Sequence, residues 1–75
     1  MKRLKAGVAG GAGYAGGELL RVLLGHPRVE LAAVSSTSFA GRPVHSAHPN
    51  LEGRTGLVFA PELKADGLEV LFLAG

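Results

Sequence analysis

The sequence contains no cysteine, so these residues supply no thiolate nucleophile, no disulfide and no cysteine metal ligand. It also lacks a long apolar run, because glycines and polar residues interrupt every segment before the roughly 18 residues that a membrane helix needs. Charge is sparse as well: 8 basic and 6 acidic side chains give a net charge of +2, and the clustered basic residues are Lys2, Arg3 and Lys5. We therefore expect a cytoplasmic protein with no membrane and no nucleic-acid partner.

Apolar residues, by contrast, are plentiful. They make up 47% of the 75 residues, which is too large a share for an intrinsically disordered chain. A chain of this length forms one small domain at most. Small domains bury only a modest fraction of their unfolded surface, so we expect marginal stability for these residues by themselves.

The first half of the chain has the pattern of a βαβ unit. Residues 4–9 are an apolar run of strand length that ends in glycines. Residues 14–24 are predicted to be a helix, because four leucines recur at spacings of one, three and four before Gly25 supplies a stop. Residues 29–34 are a second apolar run. Strand, helix and strand within about 30 residues match one βαβ unit, whose strands are parallel.

The second half of the chain has a weaker pattern. Residues 39–55 show no persistent period and are predicted to be a loop with one helical turn. Residues 57–60 are predicted to be a short strand, and residues 68–73 a buried strand. The predicted fold class is therefore α/β, a Rossmann-type parallel sheet.

A glycine-rich stretch between the first strand and the helix carries the strongest chemical signal. Residues 10–17 read G-G-A-G-Y-A-G-G, which contains G-x-G-x-x-G from Gly11. In a Rossmann turn, the glycines allow a tight turn, a close approach of the backbone to a pyrophosphate, and close packing of helix on strand. The helix N-terminus then attracts the diphosphate. We therefore assign residues 1–75 to the N-terminal part of an NAD(P)-binding domain. The candidate diphosphate-binding residues are Gly10, Gly11, Ala12, Gly13, Tyr14, Ala15 and Gly16.

Gly13 and Tyr14 have further expected roles in this turn. At Gly13 we expect a Cβ atom to crowd the diphosphate and to strain the turn. Tyr14 either covers the cofactor or packs on the helix. A glycine turn with a purely structural role is the alternative to the whole site.

The end of the second strand is the expected position of the adenosine ribose. An NAD site usually carries an acidic residue there, about 20 residues beyond the glycines. This chain instead has a hydroxyl cluster, Ser35, Ser36, Thr37 and Ser38, of which the first three are the candidate ribose-binding residues. Because hydroxyls do not repel a 2′-phosphate, the predicted cofactor is NADP. A plain polar strand end is the alternative.

Histidines and arginines in the long loop offer weaker signals. His45 and His48 lie three residues apart, but this spacing fixes no geometry in a loop, and no third ligand is near. We predict ordinary loop histidines and no metal site. Arg42 and Arg54 are candidates for a phosphate contact, and solvated loops commonly carry such residues too.

The sequence also resembles a known family. The string G-G-A-G-Y-A-G-G-E-L-L-R at residues 10–21 and the His-Pro pair at residues 26–27 are similar to the opening of N-acetyl-γ-glutamyl-phosphate reductases. Residues 39–44 look like the aromatic-A-G-K-P-V segment of that family, and residues 48–53 look like its H-P-x-L-R-G segment. Residues 70–74 look like the strand that enters its L-P-H-G loop. The likeness covers essentially the whole chain.

This resemblance implies an NADPH-dependent reductase that converts an acyl phosphate to a semialdehyde in arginine or lysine biosynthesis. In the family, a cysteine attacks the acyl phosphate, phosphate leaves, and hydride reduces the thioester. That cysteine and its histidine partner lie beyond residue 75, so we expect no catalytic residue and no catalytic domain in this chain. The implied partners are a small acyl-phosphate substrate, presented on a carrier protein in one branch, and further copies of the full-length protein.

A few positions depart from the family pattern. The family commonly has Ser-Arg after the second strand, where this chain has Ser36 and Thr37, so Arg42 is the candidate replacement for the arginine. Glu52 stands where the H-P-x-L-R-G segment has arginine. Asn50 is similar to the lysine branch, which acts on carrier-bound aminoadipyl phosphate, but one residue does not decide the pathway.

Two other functions are compatible with the sequence. One is a related NAD(P)-dependent semialdehyde dehydrogenase that shares only the Rossmann opening, although Tyr14 and the helix string at residues 18–21 argue against it. The other is a non-catalytic nucleotide-binding module. A cysteine and a histidine downstream in the reading frame would exclude the module.

Overall fold

The computed structural model describes residues 3–64 and 66–74, which form a parallel sheet with an α-helix on one face. The order of strands across the sheet is β2-β1-β3. Two single-turn 3₁₀ helices lie between β2 and β3. The elements are β1 (Leu4–Ala9), α1 (Tyr14–Leu24), β2 (Val29–Ser35), the 3₁₀ turns Val44–Ser46 and Pro49–Leu51, and β3 (Val70–Leu73). The predicted Rossmann-type α/β class is confirmed.

Helix α1 has the bounds that its leucine stripe predicts. Leu20 and Leu23 are buried on its inner face, while Glu18 and Arg21 form a half-exposed ion pair at 3.3 Å on the outer face. Such a pair contributes little, so burial of the leucines holds the helix in place. The helix ends at Gly25, whose N–H donates to the backbone of the last turn. With 11 residues, α1 is too short to cross a membrane, and no other described helix is longer.

Strand β1 lies at the centre of the sheet and pairs in parallel with both neighbours. Its register with β2 shifts between Ala6 and Gly7, where β2 contains one extra residue, Ala32. Strand β2 is one residue longer than predicted, and it ends at Ser35. Strand β2 lies on one side of β1, and β3 lies on the other side. The order of strands therefore reverses direction at β1, which makes a topological switch point between β1 and β3.

The prediction of a strand at residues 57–60 is wrong. Ala60 makes a single parallel bridge to Ser35, and Val58 makes a single antiparallel bridge to Pro43. No continuous ladder forms, because Val58 pairs with the loop at Pro43 whereas Ala60 pairs with β2 at Ser35. Ala60 still lies at the outer edge of β2, where a doubly wound sheet places its third strand.

Strand β3 is also shorter than predicted, since it begins at Val70 and not at residue 68. The side chain of Leu68 instead turns towards Gly7 of β1, where an added Cβ atom would lie 2.6 Å from it. Leu63 approaches the same glycine. These two leucines therefore cover part of the sheet face that α1 leaves open.

The core lies between α1 and the sheet, and the segment between β2 and β3 supplies nearly half of it. Its side chains are at most 5% exposed. The members are Val8, Leu20, Leu23, Val34, Val44, Leu51 and Phe59. Val44 and Leu51 come from the loop that was predicted to hold one helical turn, and the two 3₁₀ turns carry them inwards. Phe59 comes from the segment that was predicted to be a short strand. The loop therefore packs beside α1 as a second helix would.

Candidate dinucleotide-binding site

A cleft of about 340 Å³ opens at the carboxyl ends of the three strands. Its lining comes from all three strand ends. The residues are Gly10, Ala12 and Gly13 after β1, Ser36, Thr37 and Ser38 after β2, and Ala74 after β3. In open parallel sheets, ligands bind in this crevice at the switch point. The volume lies within the usual range for small-molecule sites.

Gly10 makes the sharp turn out of β1. Its φ is +80°, a backbone conformation that favours glycine. The N–H groups of Gly10 and Gly11 both donate to the carbonyl of Ser35, at 3.1 and 2.9 Å. The turn is therefore tied to the end of β2, and this brings the glycines next to the hydroxyl cluster.

Gly11 and Gly16 pack against the protein itself. A Cβ atom on Gly16 would lie 2.6 Å from the carbonyl oxygen of Gly10, so the first turn of α1 rests directly on the backbone of the glycine turn. A Cβ atom on Gly11 would collide with Val34 of the core and lie 3.3 Å from Phe59. Neither position has room for a side chain, even without a ligand.

Gly13 behaves differently from its neighbours. A Cβ atom there would meet no atom within 4 Å, and the residue has an ordinary φ of −80°. The expected strain at this position is therefore wrong. Crowding of a bound ligand is the steric reason that remains, because Gly13 lines the cleft.

The N-terminus of α1 points its unpaired N–H groups towards this end of the sheet. Gly13 is the N-cap residue, no side chain caps the helix, and no acidic residue occupies its first turn. The first N–H groups of a helix have no partner inside the helix, and together with the helix dipole they favour an anion. Tyr14 and Ala15, both exposed, lie at this turn but outside the lining of the cleft. Tyr14 is 87% exposed, so it does not pack on the helix.

The hydroxyl cluster divides into buried and accessible members. Ser35 and Ser36 are buried, and the Ser36 hydroxyl accepts a hydrogen bond from the Phe39 N–H at 3.1 Å. Thr37 and Ser38 are exposed where they line the cleft. The two accessible hydroxyls are thus the groups that can reach a ligand. The cleft lining contains no carboxylate among the described residues.

Arg42 lies beside this cluster. Its guanidinium carbon lies 5.8 Å from the centre of the Phe39 ring, and the backbone N–H of Arg42 donates to the carbonyl of Phe39. Its own carbonyl accepts from Phe59, a core residue. The cation therefore lies over Phe39, the residue that follows the hydroxyl cluster, and it does not line the cleft.

His48 has a contact that the sequence did not predict. Its Nε2 lies 2.6 Å from the carbonyl oxygen of Gly11, 37 residues earlier in the chain. The residue was predicted to be an ordinary loop histidine, because nothing in the local sequence indicates so distant a partner. His45 is exposed and does not share this role. Among the residues that the structure describes, no group of three potential metal ligands exists.

The cleft and its glycine turn have a counterpart among known proteins. The family model described as "Semialdehyde dehydrogenase, NAD binding domain" matches residues 5–75. The chain belongs to this family. Members of a nicotinamide-binding family share the cofactor-binding fold, and the glycine turn after β1 agrees with that fold.

Curated relatives bear out the resemblance to acyl-phosphate reductases. A Thermomicrobium roseum protein named as a LysW-L-2-aminoadipate 6-phosphate reductase is 52% identical over 65 residues, which are 87% of this chain and 18% of that protein. An N-acetyl-gamma-glutamyl-phosphate reductase of Phocaeicola vulgatus is 48% identical over 69 residues, 92% of this chain and 21% of the relative. The chain therefore spans about a fifth of the length of these relatives.

A solved structure has the same fold. The crystal structure of aspartate semialdehyde dehydrogenase with NADP from Candida albicans superposes with a TM-score of 0.77 at 26% identity. The superposed region covers 99% of this semialdehyde dehydrogenase-family chain and 24% of the Candida albicans chain. The comparison supports a nicotinamide dinucleotide as the ligand class of the fold.

Proposed function

We propose that this chain is the N-terminal part of the NAD(P)-binding domain of an NADPH-dependent acyl-phosphate reductase. The observation that carries the proposal is the cleft at the switch point, formed by the glycine turn in a chain about half identical to curated acyl-phosphate reductases. The full-length protein then converts an acyl phosphate to a semialdehyde in amino-acid biosynthesis. It works in the cytoplasm as a homo-oligomer.

In this proposal the chain holds the cofactor and does not carry out the bond-breaking steps. The diphosphate lies against Gly10–Gly13 and the N-terminus of α1, where unpaired N–H groups donate hydrogen bonds to its oxygens. The adenosine ribose lies at residues 36–38. The nicotinamide, when bound, supplies the hydride. The family resemblance implies that the cysteine nucleophile and its histidine partner lie beyond residue 75, and this chain has no cysteine.

The proposed cofactor is NADPH rather than NADH. Thr37 and Ser38 offer accessible hydroxyl donors, and no carboxylate lines the described part of the cleft. Arg42, held over Phe39, is the proposed partner of the 2′-phosphate in place of the family arginine. The structural neighbour from Candida albicans was crystallised with NADP, which agrees with this choice.

The proposed substrates are N-acetyl-glutamyl phosphate and carrier-bound aminoadipyl or glutamyl phosphate. Relatives of both kinds align with this chain at 45–52% identity, so its sequence does not choose between them. The test is NADPH oxidation by the full-length protein with each substrate in turn. Activity with either acyl phosphate supports the proposal, and the preferred one identifies the pathway.

A different semialdehyde dehydrogenase is the second candidate, favoured by the structural match to the Candida albicans enzyme. The same assay distinguishes the two functions when it includes NADP reduction with aspartate semialdehyde and phosphate. A protein active in that reaction and inactive with both acyl phosphates would replace the first proposal by the second.

A further inference from the structure

We infer that His48 is a positioning residue for the dinucleotide diphosphate, because its imidazole fixes the glycine turn against which the diphosphate binds. This inference rests on the proposed function. The Nε2 atom lies 2.6 Å from the Gly11 carbonyl oxygen. A carbonyl only accepts, so the imidazole donates from Nε2. Gly11 is thereby held at both of its polar groups, since its N–H donates to Ser35. Ala12 and Gly13, which line the cleft, follow directly from this fixed residue.

The ring of His48 also contacts the helix whose N-terminus faces the ligand. A Cβ atom on Gly17 would lie 2.5 Å from Cε1 and 2.6 Å from Nδ1 of the ring. The absence of a side chain at Gly17 therefore gives the imidazole its place against α1. Gly16 packs on the glycine turn and Gly17 packs on His48, so one ring bridges the turn and the helix start.

His48 is itself held from the other side by the core. Its backbone N–H donates to the carbonyl of Val44 at 3.1 Å, and its backbone carbonyl accepts from the N–H of Leu51 at 2.9 Å. Both partners are fully buried. The ring meets Phe59 edge-on, with 6.5 Å between ring centres. The core therefore fixes both the backbone and the ring of His48, and the ring in turn holds the glycine turn in place.

The expected consequence is selective loss of affinity for ligands with a diphosphate. Without the imidazole, the Gly11 carbonyl loses its partner and the turn samples other shapes, so only a fraction of the protein is competent to bind. Loss of one such hydrogen bond corresponds to about a tenfold rise in Kd. The cluster at residues 36–38 is held by separate bonds to Ala60 and Phe39, so the ribose end keeps its shape.

The experiment uses variants of the full-length protein and two probes. NADPH contains the diphosphate, whereas adenosine 2′-monophosphate occupies only the ribose end. His48→Leu keeps the bulk and removes the donor, while His48→Gln retains an N–H at a similar reach. We expect His48→Leu to raise the Kd of NADPH about tenfold and to leave that of adenosine 2′-monophosphate within about twofold. We expect His48→Gln to recover most of the loss, and the exposed control His45→Leu to match the wild type.

Steady-state kinetics supply a readout that a merely structural role would not produce. We expect His48→Leu to raise the KM for NADPH while kcat at saturating cofactor is unchanged. If His48→Leu does not fold, Gly17→Ala carries the test, since its Cβ atom displaces the ring. We expect from it the same selective weakening of NADPH.

Three results would overturn the inference. Wild-type NADPH affinity in a folded His48→Leu or Gly17→Ala variant would remove the positioning role. Equal weakening of NADPH and adenosine 2′-monophosphate would show general loosening of the site. A wild-type protein that binds no NADPH would overturn the proposed function together with the inference, whereas the first two results would leave the proposed function standing.

Discussion

At the scale of single residues, each glycine of the turn has a different neighbour. Gly10 has a positive φ, Gly16 touches backbone, and Gly13 faces the open cleft. The G-x-G-x-x-G string that starts at Gly11 predicts close packing at Gly16 and an open position at Gly13, because both depend on backbone geometry within a few residues. The tight turn lies at Gly10, one residue before that string. The strain expected at Gly13 was wrong, because spacing alone does not show which glycine has the positive φ.

The hydroxyl cluster leads to a prediction about cofactor choice. The full-length protein should have a higher kcat/KM with NADPH than with NADH, because Thr37 and Ser38 do not repel a 2′-phosphate. Thr37→Asp should shift this ratio towards NADH by about 10–100-fold, since a hydrogen bond to a charged group contributes about 1.5–3 kcal/mol.

Arg42→Met provides the matched control for this prediction. The change keeps an apolar stem over Phe39 but removes the guanidinium. It should weaken NADPH and leave NADH unchanged. Equal kcat/KM values for the two cofactors in the wild type, or a preference for NADH, would contradict the hydroxyl-cluster argument.

At the scale of elements, the two halves of the chain differ in how far the sequence predicts them. Helix α1 and strand β1 were predicted with their observed bounds, because an apolar stripe and a glycine stop are local signals. The segment between β2 and β3 was not, since Val44, Leu51 and Phe59 enter the core without any period in the sequence. The contact between His48 and Gly11 was missed for the same reason, because it depends on tertiary packing.

The packing role of the loop leads to a prediction about stability. Leu51 is fully buried in the core, so Leu51→Ala should lower the free energy of unfolding by about 2–5 kcal/mol. Val22 lies on the helix but is 52% exposed, and Val22→Ala should cost about 0.5 kcal/mol or little more. Denaturant titration of both variants measures the difference. Similar costs at the two positions would show that the loop does not belong to the core.

At the scale of the whole molecule, one face of the sheet is only partly covered. Leu71 and Leu73 are 47% and 79% exposed, and they point away from α1 because Phe72 between them packs on the core. Parallel sheets are usually covered on both faces. The relatives are about five times as long as this chain, so their remaining length is available to cover such a face.

We therefore expect the 75-residue chain, produced alone, to be poorly stable, prone to self-association and catalytically inactive. Complete domains are stabilised by only about 0.1 kcal/mol per residue, so an open apolar face is a serious loss. No thioester can form on a chain without cysteine. Circular dichroism and analytical ultracentrifugation provide the measurements. A cooperative melt from a soluble monomer would contradict the expectation and favour a self-contained nucleotide-binding module.

The claim that the glycine turn binds the cofactor diphosphate is tested most directly by titrating NADPH, followed by fluorescence, into full-length wild type and Gly13→Val. A Cβ atom at Gly13 meets no atom beyond its chain neighbours within 4 Å, but valine is a poorer N-cap than glycine, so the folded variant should melt only a few degrees below the wild type. Its valine should nevertheless occupy the space of the diphosphate. We expect the Kd to rise by about 100-fold or more, equivalent to about 2.7 kcal/mol. Undiminished NADPH affinity in the folded variant would remove the glycine turn from the binding site.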